Sequence, residues 1–306
     1  MRKFAIVILL IVSLFTFAAC KESVPLSSTV QTSFQVEGDL TPGENKTAKV
    51  VLLYGQSNAT GVAANDYLRL KAPDIYESVM AGFDNVSINF ITENGANSSK
   101  GSFVPVTLGQ GANQHYFGPE VGMASALHAQ FEGQPVFIIK YSWGGSILHN
   151  QWLNGQSERG DMYTAAINFT LASLGFLKET GYIPEILAAC WMQGESDSIF
   201  GKEIAELYYH NTEMFVNYLR EDLKGYSKED FLFIDAGIAE IDIWPEYSII
   251  NDAKIRFAET SEYNYYFSTS ALGFTTGEEP EGQPDTAHYD ACSAYALGVK
   301  FASYIS

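Results

Sequence analysis

Four short blocks carry the residue types of acyl-transfer chemistry: Gly55-Gln56-Ser57-Asn58, Gly144-Gly145-Ser146, Gln193-Gly194-Glu195-Ser196-Asp197 and Asp285-Thr286-Ala287-His288. A serine hydroxyl is a poor nucleophile until a base takes its proton, and the histidine that serves as base needs a carboxylate to hold its tautomer. Ser57 offers the hydroxyl. Asp285 and His288, separated only by Thr286 and Ala287, offer the pair within one bend before the last helical stretch. The bland alternative is that Asp285 caps that helix and His288 is simply exposed. The tetrahedral intermediate also needs hydrogen-bond donors, each worth about 3 kcal/mol of barrier. Gly144-Gly145 allows backbone to approach a ligand closely, and Gln193 brings a side-chain amide to the end of an apolar run. For the acid, Asp285 ranks first and Glu195 second, while Asp197 is read as structural.

These residues must be held at one rim, and the hydropathy pattern says how. Apolar runs at Val50–Tyr54, Pro135–Tyr141, Ile186–Met192 and Phe231–Ala236 lack the alternation of half-exposed strands and read as buried strands of a parallel sheet. Helix-period stretches lie at Glu120–Gln130, Met162–Thr180, Glu203–Lys224, Ile249–Thr260 and Ala291–Tyr304. The alternation predicts an α/β fold, a three-layer α/β/α sandwich around a parallel central sheet. Three of the four blocks follow predicted strands, at the carboxyl edge where such sheets place their sites. The Gly-, Asn- and Ser-rich stretch Ala81–Gln114 is left as a long loop, either a wall of the cleft or a solvated insertion.

The 306 residues suit one large catalytic domain, assigned to residues 47–306. Ahead of it, Arg2 and Lys3, the short apolar stretch Phe4–Phe17 and Ala18-Ala19-Cys20 resemble a lipoprotein signal peptide, with residues 1–19 removed and Cys20 lipidated. Residues 20–46, rich in Ser, Thr, Glu and Gly, read as a flexible tether. The expected location is therefore exported and membrane-anchored, with contact to the membrane only through that lipid. The net charge of −18, with no Lys/Arg cluster, disfavours nucleic acid and anionic membrane surfaces as partners and favours neutral substrates. Cys190 and Cys292 make no disulfide framework. The five histidines form no His-Glu-x-x-His pattern, so neither a catalytic metal nor another cofactor is expected.

Gly-x-Ser-x-Gly is absent, which disfavours a nucleophile-elbow hydrolase. Instead, the Ser57 block, Trp191–Asp197 and Asp285–His288, together with Phe117-Gly118-Pro119-Glu120 and Gly144-Gly145-Ser146, resemble the signature blocks of the SGNH-hydrolase superfamily. The branch they resemble is that of sialate O-acetylesterase-like and family-six carbohydrate acetylesterases, from about Ala48 to the C-terminus. The resemblance implies a flavodoxin-like fold and metal-free removal of acetyl groups from sugar hydroxyls. By the same resemblance Ser57 is the nucleophile, His288 the base, and Ser57 N–H, Gly145 N–H and Gln193 the oxyanion donors; Glu195 matches a position that assists the histidine. Asn58 and Trp152 are expected to contact the substrate, Trp152 by stacking on a sugar ring. The expected substrates are acetylated xylan-type oligosaccharides or acetylated sialic acid. The rivals are a non-catalytic carbohydrate-binding module on an esterase fold and a hydrolase of lipid or short-chain esters.

Overall fold

The computed structural model describes residues 30–305, so the signal segment and Cys20 lie outside the described residues. Six parallel strands form the body of the sheet, in the order Asn264–Phe267, Leu232–Ala236, Ile183–Met192, Thr47–Gly55, Val136–Ser142, Val86–Thr92. Short antiparallel segments at Asn97–Ser98 and Val104–Pro105 flank the last of these. The central strand Thr47–Gly55 is buried from Val50 to Gly55, which is why its sequence is a continuous apolar run rather than an alternating one. Helices Asp161–Glu179, Tyr208–Asp222, Tyr247–Ala258, Pro119–Gln130 and Ala291–Ala302 complete the layers. The last two pack backbone to backbone. A Cβ on Gly122 would lie 1.9 Å from Tyr295 O, and one on Gly298 would lie 1.8 Å from Pro119 O.

The register sets the functional rim. Gly55 pairs with Ser142 on one side and Met192 on the other, and Thr92 pairs with Ser142. Four strands therefore end at one level, and the residues that follow them converge at the carboxyl edge of the sheet, where open α/β sheets bind ligands. Gly55 is required at that edge: its φ is +145°, and a Cβ would lie 2.0 Å from Met192 O.

All four expected strands are present, and two more lie outside the apolar runs. Val86–Thr92, inside the stretch read as a loop, hides its strand character because Asn89 is a core residue. Asn89 Nδ2 donates to Ser173 Oγ at 3.0 Å and its Oδ1 accepts from Ser99 Oγ at 2.6 Å, so burial leaves no polar atom of that amide unpaired. Asn264–Phe267 is the edge strand. The winding also departs from the flavodoxin order, since Val136–Ser142 sits between the first and second strands. The expected helix Glu203–Lys224 is divided at Leu207, which turns Tyr208 inward.

The tether expectation needs correction for residues 30–46. Val30 is buried, Phe34 meets Phe169 edge-on at 5.4 Å, Asn168 Nδ2 donates to Thr32 O at 2.8 Å, and Glu37 N donates to Gly101 O at 2.9 Å. Its apolar residues, spaced too irregularly for a helix or strand pattern, dock this segment as an irregular strap on the domain.

Candidate active site

Ser57 opens the short helix Ser57–Thr60 directly after the central strand and is half-buried at the rim. The helix is anchored from beneath by Lys140, a fully buried cation in the middle of a strand. Its Nζ donates to Thr60 O at 2.7 Å, to Gln110 O at 2.9 Å and to Glu120 Oε2 at 2.7 Å. Three partners satisfy all three ammonium protons, which is what makes a charge tolerable there. Glu120, from the Phe117–Glu120 block, also accepts from Gly118 N at 2.8 Å. That block therefore supports the site from below.

Asp285 and His288 meet as expected. His288 Nδ1 lies 2.6 Å from Asp285 Oδ2, with the imidazole 24% and the carboxylate 41% exposed. The His288 hydrogen bond, reinforced by Ala287 N–H and opposed by partial burial, holds the Asp285 carboxyl below its ordinary range. The bond assigns the Nδ1 proton to the Asp285 side and leaves Nε2 as the free acceptor. The capping alternative fails, because the last helix starts at Ala291, with Asp290 before it.

Asn58 is the hinge between the two halves. Its Nδ2 donates to Glu195 Oε1 at 2.7 Å, and its Oδ1 accepts from Tyr289 N at 3.1 Å. The second bond sets the chain beside Ser57 against the chain beside His288. Asn58 is thus buried and spent on the protein, a correction to its reading as a substrate contact. Glu195, fully buried, has its carboxyl pushed above the ordinary range by desolvation and binds Asn58 rather than His288 Nδ1. Its route to the histidine is indirect, through Asn58 and Tyr289.

Gln193 also differs from expectation. Its Nε2 donates to Asp197 Oδ2 at 2.5 Å, to Ser146 O at 3.0 Å and to Gln56 Oε1 at 3.2 Å, while Tyr208 OH donates to its Oε1 at 2.9 Å. A fully buried amide with those partners ties three loops together and has no proton left to offer an oxyanion. Asp197, read as structural, is so: besides Gln193 it accepts from Leu148 N at 2.8 Å and His149 N at 3.1 Å.

Backbone amides at the rim with no acceptor among the described residues include Ser57 N and Gly145 N, the latter at an exposed glycine with φ of +69°. The neighbours of Gly145 are all engaged: Trp143 N donates to Gly55 O at 3.1 Å, Gly144 N to Glu93 Oε1 at 2.8 Å and Ser146 N to Trp143 O at 3.2 Å. Glu93 is a residue the sequence reading missed. It lies in the stretch read as loop, and only the register of Thr92 beside Ser142 places it at the rim.

Trp152 is corrected as well. It is 0% exposed, meets Trp191 edge-on at 4.9 Å and donates Nε1–H to Ser146 Oγ at 3.0 Å, so it packs the core instead of facing a sugar. Trp143, in the Gly144–Gly145 loop, is the half-exposed tryptophan. Beside the bend, a cavity of about 440 Å³ is lined by Tyr67, Tyr116, Asp66, Glu279, Asp285, His288 and Asp290 among others, with no Lys or Arg in its wall.

A serine, an imidazole oriented by a carboxylate and two free amides at one sheet edge are the parts of an acyl-transfer centre. Among curated proteins none matches the chain. Among solved structures, the chain is similar to a protein from Arabidopsis thaliana (TM-score 0.62, 17% identity, 84% of this chain and 96% of that one). It is also similar to NanS (TM-score 0.60, 14% identity, 85% and 97%) and to XAC1771, a carbohydrate acetylesterase from Xanthomonas citri (TM-score 0.52, 15% identity, 83% of this chain but 54% of that one). At these identities the likeness is one of fold. The family model described as carbohydrate esterase, sialic acid-specific acetylesterase matches residues 47–306, and the chain belongs to that family of carbohydrate esterases.

Proposed function

We propose that this carbohydrate esterase removes O-acetyl groups from neutral sugars through an acyl-enzyme on Ser57. The observation that supports the reading is the Asn58–Tyr289 hydrogen bond, which joins the neighbour of Ser57 to the neighbour of a His288 that is bonded to Asp285. In this scheme His288 Nε2 takes the Ser57 hydroxyl proton as Oγ bonds to the acetyl carbon. The oxyanion is received by Ser57 N–H and Gly145 N–H. Collapse breaks the ester C–O bond, and the imidazolium returns the proton to the leaving sugar oxygen. Water, activated by the same imidazole, then releases acetate and regenerates Ser57.

The wall of the 440 Å³ cavity supports the neutral class. Recognition of a sialic acid carboxylate calls for a cation, most often a bidentate Arg. Here the wall carries Asp66, Glu279, Asp285 and Asp290, and Arg69, outside it, is bonded to Asp66 at 3.2 Å. Tyr67 and Tyr116 offer ring faces and hydroxyls suited to a pyranose.

The test is acetate release from acetylated xylo-oligosaccharides and from O-acetylated sialic acid, with an aryl-ester series from acetate to octanoate, on wild type and Ser57→Ala. The expected outcome is release from the neutral glycan at least tenfold faster than from the sialate, activity falling steeply with acyl length, and no turnover by folded Ser57→Ala. Near wild-type turnover by that variant would overturn the acyl-enzyme. Faster sialate deacetylation would overturn the neutral preference, and a maximum at long chains without glycan deacetylation would favour the lipid-ester rival.

A further inference from the structure

We propose that Glu93 is the positioning residue of the oxyanion site: by taking Gly144 N–H it aims Gly145 N–H at the reacting carbonyl. The inference rests on the reading of Gly145 N–H as an oxyanion donor. Glu93 follows the strand Val86–Thr92, at the level where Ser142 ends its own strand, so its side chain reaches the Gly144–Gly145 loop from the next strand end. Its Oε1 accepts Gly144 N–H at 2.8 Å, and the contact is tight: a Cβ on Gly144 would lie 2.8 Å from the same oxygen.

The backbone is strained to make this contact. Glu93 and Asn94 both have positive φ, +50° and +53°, a region that non-glycine residues occupy at a cost and that concentrates at functional sites. The residue is also half-buried. Desolvation raises its pKa, opposed by the hydrogen bond from Gly144 and by the charges of His288 and Lys140. A strained, desolvated carboxylate is an expensive way to close a surface loop, but it fixes a peptide plane firmly.

The plane it fixes is the one that matters. In Trp143–Ser146 three amides are engaged inside the protein, and Gly145 N is left without an acceptor. Releasing Gly144 N–H would let the Gly-Gly pair rotate, since neither glycine has a side chain to resist, and Gly145 N–H would lose its aim. An oxyanion donor acts in the transition state and not on bound substrate, so its loss lowers kcat and leaves KM in place.

Steady-state kinetics with an aryl acetate on Glu93→Ala, Glu93→Gln, Gly144→Ala and the Glu93→Ala/Gly144→Ala double variant test this, with circular dichroism to confirm folding. Glu93→Ala is expected to lose roughly 10²-fold in kcat with KM within about threefold, the range for one oxyanion donor. Glu93→Gln, which keeps an acceptor oxygen, should recover most of that loss. Gly144→Ala, whose Cβ collides with the carboxylate, should lose a similar factor, and the double variant no more than the worse single. Additive losses, a change confined to KM, or an unchanged kcat in Glu93→Ala would overturn the proposal; should Glu93→Ala fail to fold, Gly144→Ala with a wild-type kcat would overturn it as well. The two readings fail separately. An active Ser57→Ala sinks the acyl-enzyme, whereas a Ser57-dependent enzyme indifferent to Glu93 sinks only this inference.

Discussion

Asp285 and Glu195 both compete in the sequence for the role of histidine partner, and their hydrogen bonds separate them. Asp285 Oδ2 is on His288 Nδ1, whereas Glu195 Oε1 is on Asn58 Nδ2. A carboxylate acts on an imidazole by fixing its tautomer and stabilising the imidazolium, and an amide in its place presents the wrong group to the ring. Asp285→Asn is therefore expected to lower kcat by up to about 10⁴-fold, the cost of tautomer loss in a triad. Glu195→Gln can still accept from Asn58 and should cost far less. Kinetics on folded variants check the order, and the reverse ranking would transfer the orienting role to Glu195.

At the scale of elements, the site is a set of strand-end loops tied to one another below the surface. Asp197 joins the helix Glu195–Ile199 to the turn at Leu148 and His149. Burial drives its carboxyl from an ordinary 3.8 to about 6, with the bonds from Gln193, Leu148 and His149 offsetting part of the rise. The sign follows. Between about pH 4 and 6 the unfolded chain has released a proton that the folded chain retains, so this group's contribution to stability falls as pH rises through that window and is level above it. Relative to Asp197→Asn, which does not titrate, wild type should lose roughly 2–3 kcal/mol between pH 4 and 6. Urea unfolding of the two proteins across pH 4 to 7 measures the difference, and a constant gap would refute it.

For the whole molecule, the excess of 36 acidic over 18 basic residues makes the long-range field repulsive to polyanions, in keeping with a neutral substrate. Among the described residues no helix is long and apolar enough to cross a membrane. Membrane attachment then rests on the proposal that Cys20 carries lipid. Cys20→Ala should move the protein from the membrane fraction to the soluble exported fraction, read by fractionation and immunoblot. Unchanged partitioning would remove the lipid anchor from the proposal.

The sequence by itself determined the fold class, four of the six parallel strands, and the order of the chemical blocks. Burial on both faces of a parallel sheet writes itself locally as a continuous apolar run, and a nucleophile or an acid–base bend is a local choice of residue type. It also brought His288 onto Asp285, because that bond spans a single bend. What it did not determine is which polar side chains face substrate and which face each other. Gln193, Asn58 and Trp152 all looked like contacts for a ligand, yet their polar atoms bond to partners inside the protein, among them Gln56, Glu195, Tyr289 and Ser146. Glu93 showed no signal at all, since its role depends on the register that sets Thr92 beside Ser142. Most of these partners lie far away in the chain, and a hydrogen bond is directional over a few ångströms. Only the tertiary structure, by fixing strand register and loop approach together, decides which donors remain free.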